Sequence, residues 1–182
     1  MNYINIPKKT LGKEFNTSDQ IVMLEIMSNT NLKKNSECFK TVKTIAENTN
    51  MSEREVIRST AKLEEEGLIK KEQRFNSSSI YHVCEYEGFI MVPLKLIEKF
   101  KEKKISNDLL IMYIKLLKID YSNNTKLESG VSDKYLHEKT FFCRAKVKKI
   151  IEEMEWKNLI KITKINKYNY KIELLEGNCH AI

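Results

Sequence analysis

The chain repeats itself, and that repeat limits what it can fold into more than any other feature. At an offset of 91 and without a gap, residues 41–69 align on residues 132–160. Ile45 falls on Leu136, Met51 on Phe142, Val56 on Val147 and Leu63 on Met154, and Leu68-Ile69 falls on Leu159-Ile160. Apolar meets apolar at every one of these positions, while the polar positions differ freely, as expected of two copies that keep one core. Further upstream, Tyr3-Ile-Asn-Ile-Pro7 resembles Phe89-Ile-Met-Val-Pro93, and each ends in one of the only two prolines. A basic segment follows each, then a helix-start signal: Thr17-Ser18-Asp19 in the first copy, Ser106-Asn107-Asp108 in the second. The apolar helices expected after them, near 18–29 and 106–118, leave open whether two chains associate through them.

With 182 residues the chain has room for two small domains. The expected division is 1–86, 87–176 and a short flexible tail at 177–182. No Gly/Ser linker separates the copies. Asn29–Ser36 and Tyr121–Gly130 occupy equivalent places and read as solvated loops.

Within the first copy, Thr41–Asn48 reads as a short helix with Val42, Ile45 and Ala46 on one face. Thr49-Asn50-Met51 makes a turn. Ser52 then caps a further helix, with Glu55 three residues on to complete a capping box. Val56, Ile57, Thr60 and Leu63 read as the inner stripe of that helix, and Arg54, Glu55, Arg58, Ser59 and Lys62 as its outer face. Gly67 ends it as a left-handed cap would. Leu68–Glu72 and Ile80–Cys84 read as two strands around a polar tip at Gln73–Ser79.

In the second copy, Ser132–Glu138 and Cys143–Glu155 take the two helical places. Cys143, Val147, Ile151 and Met154 are expected inside, and Ala145, Lys146, Lys149 and Glu153 outside. Leu159–Thr163 and Tyr168–Leu174 form the ribbon, with Lys164-Ile-Asn-Lys167 at its tip. Cys143 stands where the first copy has the capping Ser, and Trp156-Lys-Asn158 replaces Glu-Glu-Gly.

The fold class expected is mainly α with small β-ribbons (α+β), arranged as two tandem winged-helix units. The stretch Thr41-Val-Lys-Thr-Ile-Ala-Glu, the Ser-x-x-x-Val after the turn and the Leu-x-x-x-Gly-Leu-Ile exit closely resemble winged-helix proteins. That exit is shared with regulators of the multidrug-resistance-repressor type. The strand-Pro openings, Ile6-Pro7 and Val92-Pro93, look like those of plasmid and phage replication initiators. The resemblance implies that the third helix of each unit enters the major groove of double-stranded DNA, with the wing on the adjacent backbone or minor groove. Carried onto this sequence, the base-reading residues would be Arg54, Arg58, Ser59 and Lys62 in the first copy and Lys146 and Lys149 in the second. Arg74 and Asn76 on one wing, with Lys164 and Lys167 on the other, would hold phosphate or minor groove.

The net charge of +7 agrees with an anionic partner. The surplus is lopsided: 13 Lys and Arg against 12 Asp and Glu in residues 1–86, and 19 against 13 in residues 87–182. The expected function is a sequence-specific regulator or replication-initiation factor of a bacterial mobile element. The alternative is a protein–protein adaptor in a replication, partition or conjugation complex. A homodimer, or association with other replication or regulatory proteins, is compatible with either.

Enzymatic chemistry, a cofactor and a metal are not expected. The five glycines form no phosphate-cradling loop, and His82, His137 and His180 lack ligand-like spacing to carboxylates or cysteines. Cys38, Cys84, Cys143 and Cys179 lie too far apart for a metal knuckle or redox pair and read as free thiols. Tyr81 and Tyr170 read as packing residues rather than base-stacking ones. No signal core or spanning stretch is present, so a cytoplasmic location away from membranes is expected.

Overall fold

A computed structural model of the protein describes residues 3–30, 36–74, 79–122 and 126–175. The chain divides into two compact units, Ile4–Met91 and a second beginning at Val92. Asn76 and the tail at 177–182 lie outside the described residues.

The first unit opens with β1 (Tyr3–Pro7) and a 3-10 turn at Lys8–Leu11. It continues through α1 (Thr17–Ser28), β2 (Glu37–Cys38), α2 (Val42–Thr49), α3 (Glu53–Glu65), β3 (Ile69–Glu72), β4 (Ile80–Val83) and β5 (Phe89–Pro93), whose last two residues already belong to the second unit. β1 pairs with β5, and the Lys8 N–H donates to the Gly88 carbonyl at 3.1 Å where they meet. β2, β4 and β3 form an antiparallel sheet in that order, with Cys38 opposite Tyr81 and Lys71 opposite Tyr81 on the other side. Three helices followed by a hairpin is the winged-helix order, and the core lies between them. Val22, Met23, Ile26, Ile45, Val56, Leu63, Ile69 and Tyr81 are fully buried there. Each such side chain contributes roughly 1.5–3 kcal/mol on leaving water.

Local signals fix the helix ends. Asn16, one residue before the Thr17-Ser18-Asp19 signal, caps α1: its side chain accepts from the Asp19 N–H, and Asp19 accepts from the Asn16 N–H, both at 3.0 Å. Thr41 caps α2 by accepting from the Thr44 N–H at 3.0 Å. Ser52 and Glu55 form the capping box of α3. Between α2 and α3 the chain turns through Asn50 at φ 54°, a left-handed conformation that Asn tolerates better than most residues.

The second unit runs α4 (Leu94–Lys101), α5 (Asn107–Ser122), α6 (Lys126–Ser129), α7 (Asp133–Thr140), α8 (Arg144–Trp156), β6 (Ile160–Lys164) and β7 (Tyr170–Leu174). α7 and α8 begin and end 91 positions after α2 and α3, residue for residue. The equivalence extends to strained backbone. Phe141 takes the left-handed place of Asn50, and Asn158 that of Gly67. β6 and β7 pair antiparallel, with Ile162 opposite Ile172, and Val131 bridges to Tyr170 as a minimal third strand.

Some expectations need correction. The segment after Pro93, expected only to be basic, forms α4, whose Leu96, Ile97 and Phe100 are buried. Tyr121–Gly130 is not wholly solvated: α6 lies within it and buries Leu127. Cys143 is exposed, because it stands at the N-cap of α8 rather than inside the helix, and Ile150 takes the inward place. Residues 19–27 of α1 and 109–117 of α5 are buried throughout.

Candidate nucleic-acid interface

α3 has two faces of different chemistry. Val56, Ser59, Thr60 and Leu63 point into the core, while Arg54, Ile57, Arg58 and Ala61 are exposed. Arg54 and Arg58 stand one turn apart, so their guanidinium groups project from the same strip of helix surface. Among the described residues neither is held in an ion pair. Each offers a planar fork of donors suited to the N7 and O6 acceptors of guanine.

Two members of the expected set do not belong to that strip. Ser59 is fully buried, and its hydroxyl donates to Asp19 Oδ1 at 2.7 Å, joining α3 to the N-terminus of α1. It cannot read a base. Lys62 is half-buried, and its ammonium lies 3.2 Å from both Glu65 and Glu66. Those carboxylates, Glu66 first, hold its pKa above the ordinary lysine value. Lys62 and Lys9, which lies 3.2 Å from Glu66, together offset the acidic end of α3. Conversely, Ile57 is 52% exposed rather than part of the inner stripe.

Glu55, placed on the outer face by sequence, is engaged by the start of its own helix. It accepts from the Ser52 N–H at 3.0 Å and from the Ser52 hydroxyl at 2.8 Å. These bonds hold its carboxyl below the usual range and turn it back over the helix start.

On the first wing, Arg74 is exposed and its guanidinium carbon lies 5.9 Å from the centre of the Phe39 ring. Tyr81, on the strand behind it, is fully buried.

The outer face of α8 carries Arg144, Ala145, Lys148 and Lys149, all exposed. Lys149 occupies the place of Arg58. Lys148 is a loose 4.0 Å pair of Glu152. Lys146, a sequence candidate, is tied down instead: its ammonium lies 2.8 Å from Asp108 and 5.0 Å from the centre of the Phe142 ring. The second wing turns through Asn166, whose side chain accepts from the Tyr168 and Asn169 N–H groups at 2.9 Å. That turn presents Lys164 and Lys167 to solvent, with Lys167 5.4 Å from the centre of the Tyr168 ring. Next to that turn, where Tyr170 pairs with Lys164, the Tyr170 hydroxyl donates to Asp133 at 2.6 Å, fastening the hairpin to α7.

Arg144 and Lys148 lie outside the set expected from sequence, which held only Lys146 and Lys149 on this helix. The repeat itself held the signal for Ser59 and Ile57. At the offset of 91 their partners are Ile150, buried, and Lys148, exposed.

The helix–turn–helix of the first unit, with its hairpin wing, is an architecture that presents one helix to solvent over a rigid three-helix base. Residues 13–69 match the family model of a helix-turn-helix domain. The match begins ahead of α1 and ends at the first residue of β3, and it supports a DNA-binding fold for that segment. No curated protein and no solved structure matches the chain. Among the described residues no helix is long and apolar enough to cross a membrane.

Proposed function

We propose that the protein binds double-stranded DNA sequence-specifically, with α3 and α8 as the groove-facing helices and the two hairpins on the flanking backbone. The observation that carries this reading is the exposed Arg54–Arg58 strip on α3, inside the segment matched as a helix-turn-helix domain. Arg144, Lys148 and Lys149 on α8, with Lys164 and Lys167 on its wing, supply a second cationic surface in the more basic half of the chain. Two linked units of this kind would cover a longer site than one. The biological role proposed is regulation or replication initiation on a bacterial mobile element. Its support is the resemblance of the strand-Pro openings at Pro7 and Pro93, each of which stands at the N-cap of the helical turn after it.

Titration of a labelled duplex across a salt series tests the reading. Affinity should fall with rising salt, with a logarithmic slope of about 0.9 per phosphate contacted and several contacts in all. Absence of binding to any duplex at about 50 mM salt would falsify it. The second reading, a protein–protein adaptor, is favoured by Trp156, which is 78% exposed at the end of α8. It predicts that missing duplex binding.

A further inference from the structure

We infer that Ile57 and Ala61 read the 5-methyl groups of thymine, making α3 the helix that discriminates bases; the inference rests on the DNA-binding reading above. The outer face of α3 consists of two parallel strips. Arg54 and Arg58, one turn apart, form a guanidinium strip. Ile57 and Ala61, also one turn apart, form an apolar strip beside it, since Arg54 neighbours Ile57 and Arg58 neighbours Ala61 at three-residue spacing.

A single exposed isoleucine is ordinary on a protein surface. This one stands out by its surroundings. The core does not need it, because Val56, Ser59, Thr60 and Leu63 already fill the inner face. Helix propensity does not call for it either, because a β-branched side chain loses rotamer freedom in a helix. An apolar protein surface placed over Ile57 would strip water from Arg54 and Arg58 and return no acceptors. The floor of the major groove offers both chemistries side by side: acceptors on guanine and a methyl group on thymine. In α8 the matching positions hold Lys148 and Glu152, so the apolar strip belongs to α3 of the two helices. The division that follows is chemical: α3 discriminates sequence, and α8, with exposed Arg144, Lys148 and Lys149, mainly holds phosphate.

Deoxyuridine differs from thymidine only by lacking the 5-methyl group, and it supplies the test. A duplex selected by the full chain from random sequence is remade with each thymine replaced in turn by uracil. For the unaltered protein, one or two of these changes should weaken binding about fourfold each, the equivalent of about 0.8 kcal/mol per buried carbon. Ile57→Ala should lessen or lose the thymine preference at one of these positions, the other being left to Ala61, and should melt as the parent does. The inference fails if every replacement leaves the affinity of the parent protein within about twofold. It also fails if Ile57→Ala keeps the same thymine preference, since the uracil effect would then lie in the shape of the duplex. Either failure with duplex binding intact leaves the DNA-binding reading standing. Binding to no duplex overturns both.

Discussion

Asp19 shows how one residue can decide which face of a helix meets solvent. It is buried at the start of α1, where one carboxylate oxygen accepts from the Asn16 N–H and the other from the Ser59 hydroxyl. A buried carboxylate left short of a donor costs about 1.5–3 kcal/mol. Ser59→Ala should therefore lower the unfolding free energy by that order, and the denaturant midpoint with it, while leaving duplex affinity unchanged at temperatures where the variant is folded. Arg58→Ala should do the opposite. Its side chain is exposed, so the midpoint should hold, while binding weakens by about 1–3 kcal/mol. Equilibrium unfolding and duplex titration on both variants make a crossed comparison. If Ser59→Ala weakened binding more than Arg58→Ala, the outer face of α3 would be assigned wrongly.

The elements were easier to read than their faces. Caps and turn residues are local: the Ser52–Glu55 box, the Asn50 turn and the Gly67 exit each act within a few residues, so spacing alone placed α2 and α3. Facing is a tertiary property. Val56 and Ile57 are adjacent and apolar, yet they lie about 100° apart on the helix, and the packing of the folded chain buries Val56 with Leu63 and leaves Ile57 outside. The ion pairs of Lys62 and Lys146 were hidden for a similar reason, because Glu66, Glu65 and Asp108 approach them only in the folded chain or across helical turns. α4 and α6 carried too few residues for a clear period.

Helix exits give the element-scale prediction. Gly67 sits at φ +72° with nothing within 4 Å of where a Cβ would lie, and Asn158 occupies the same place after α8 at φ 53°. Gly67→Ala should cost about 1–2 kcal/mol, all of it backbone strain. Asn158→Gly should gain a few tenths, because Asn is already the next best residue there. Chemical denaturation of the two variants measures both. An unchanged midpoint in Gly67→Ala would mean that the left-handed exit of α3 is not formed.

At the scale of the whole molecule, stability sums contributions that respond to pH in opposite senses. Lys115 on α5 is only 5% exposed. Its ammonium donates to the Thr140 carbonyl at 2.6 Å and lies near the Phe141 and Phe142 rings, at the turn between α7 and α8. Burial, reinforced by the neighbouring charge of Lys118, lowers its pKa from 10.5 to about 8. Below about pH 8 the group is charged in both folded and unfolded chains, and folding carries the full cost of burying the charge. Between about 8 and 10.5 the unfolded chain binds the extra proton, so stability rises with pH, by at most about 1.4 kcal/mol per unit.

Cys38, Tyr81, Tyr86 and Tyr170 act the other way. Burial raises their pKa values, so the unfolded chain loses protons first as pH climbs past the ordinary thiol and phenol values of 9.0 and 10.0, and stability falls. The Lys115 contribution is therefore read most cleanly from about pH 8 to 9. Across that interval the unfolding free energy of the parent chain should rise relative to that of Lys115→Met, whose buried side chain carries no proton. The two chains should differ most below pH 8 and converge above it. Parallel pH profiles would mean that Lys115 keeps an ordinary pKa, and that the turn before α8 is open to water.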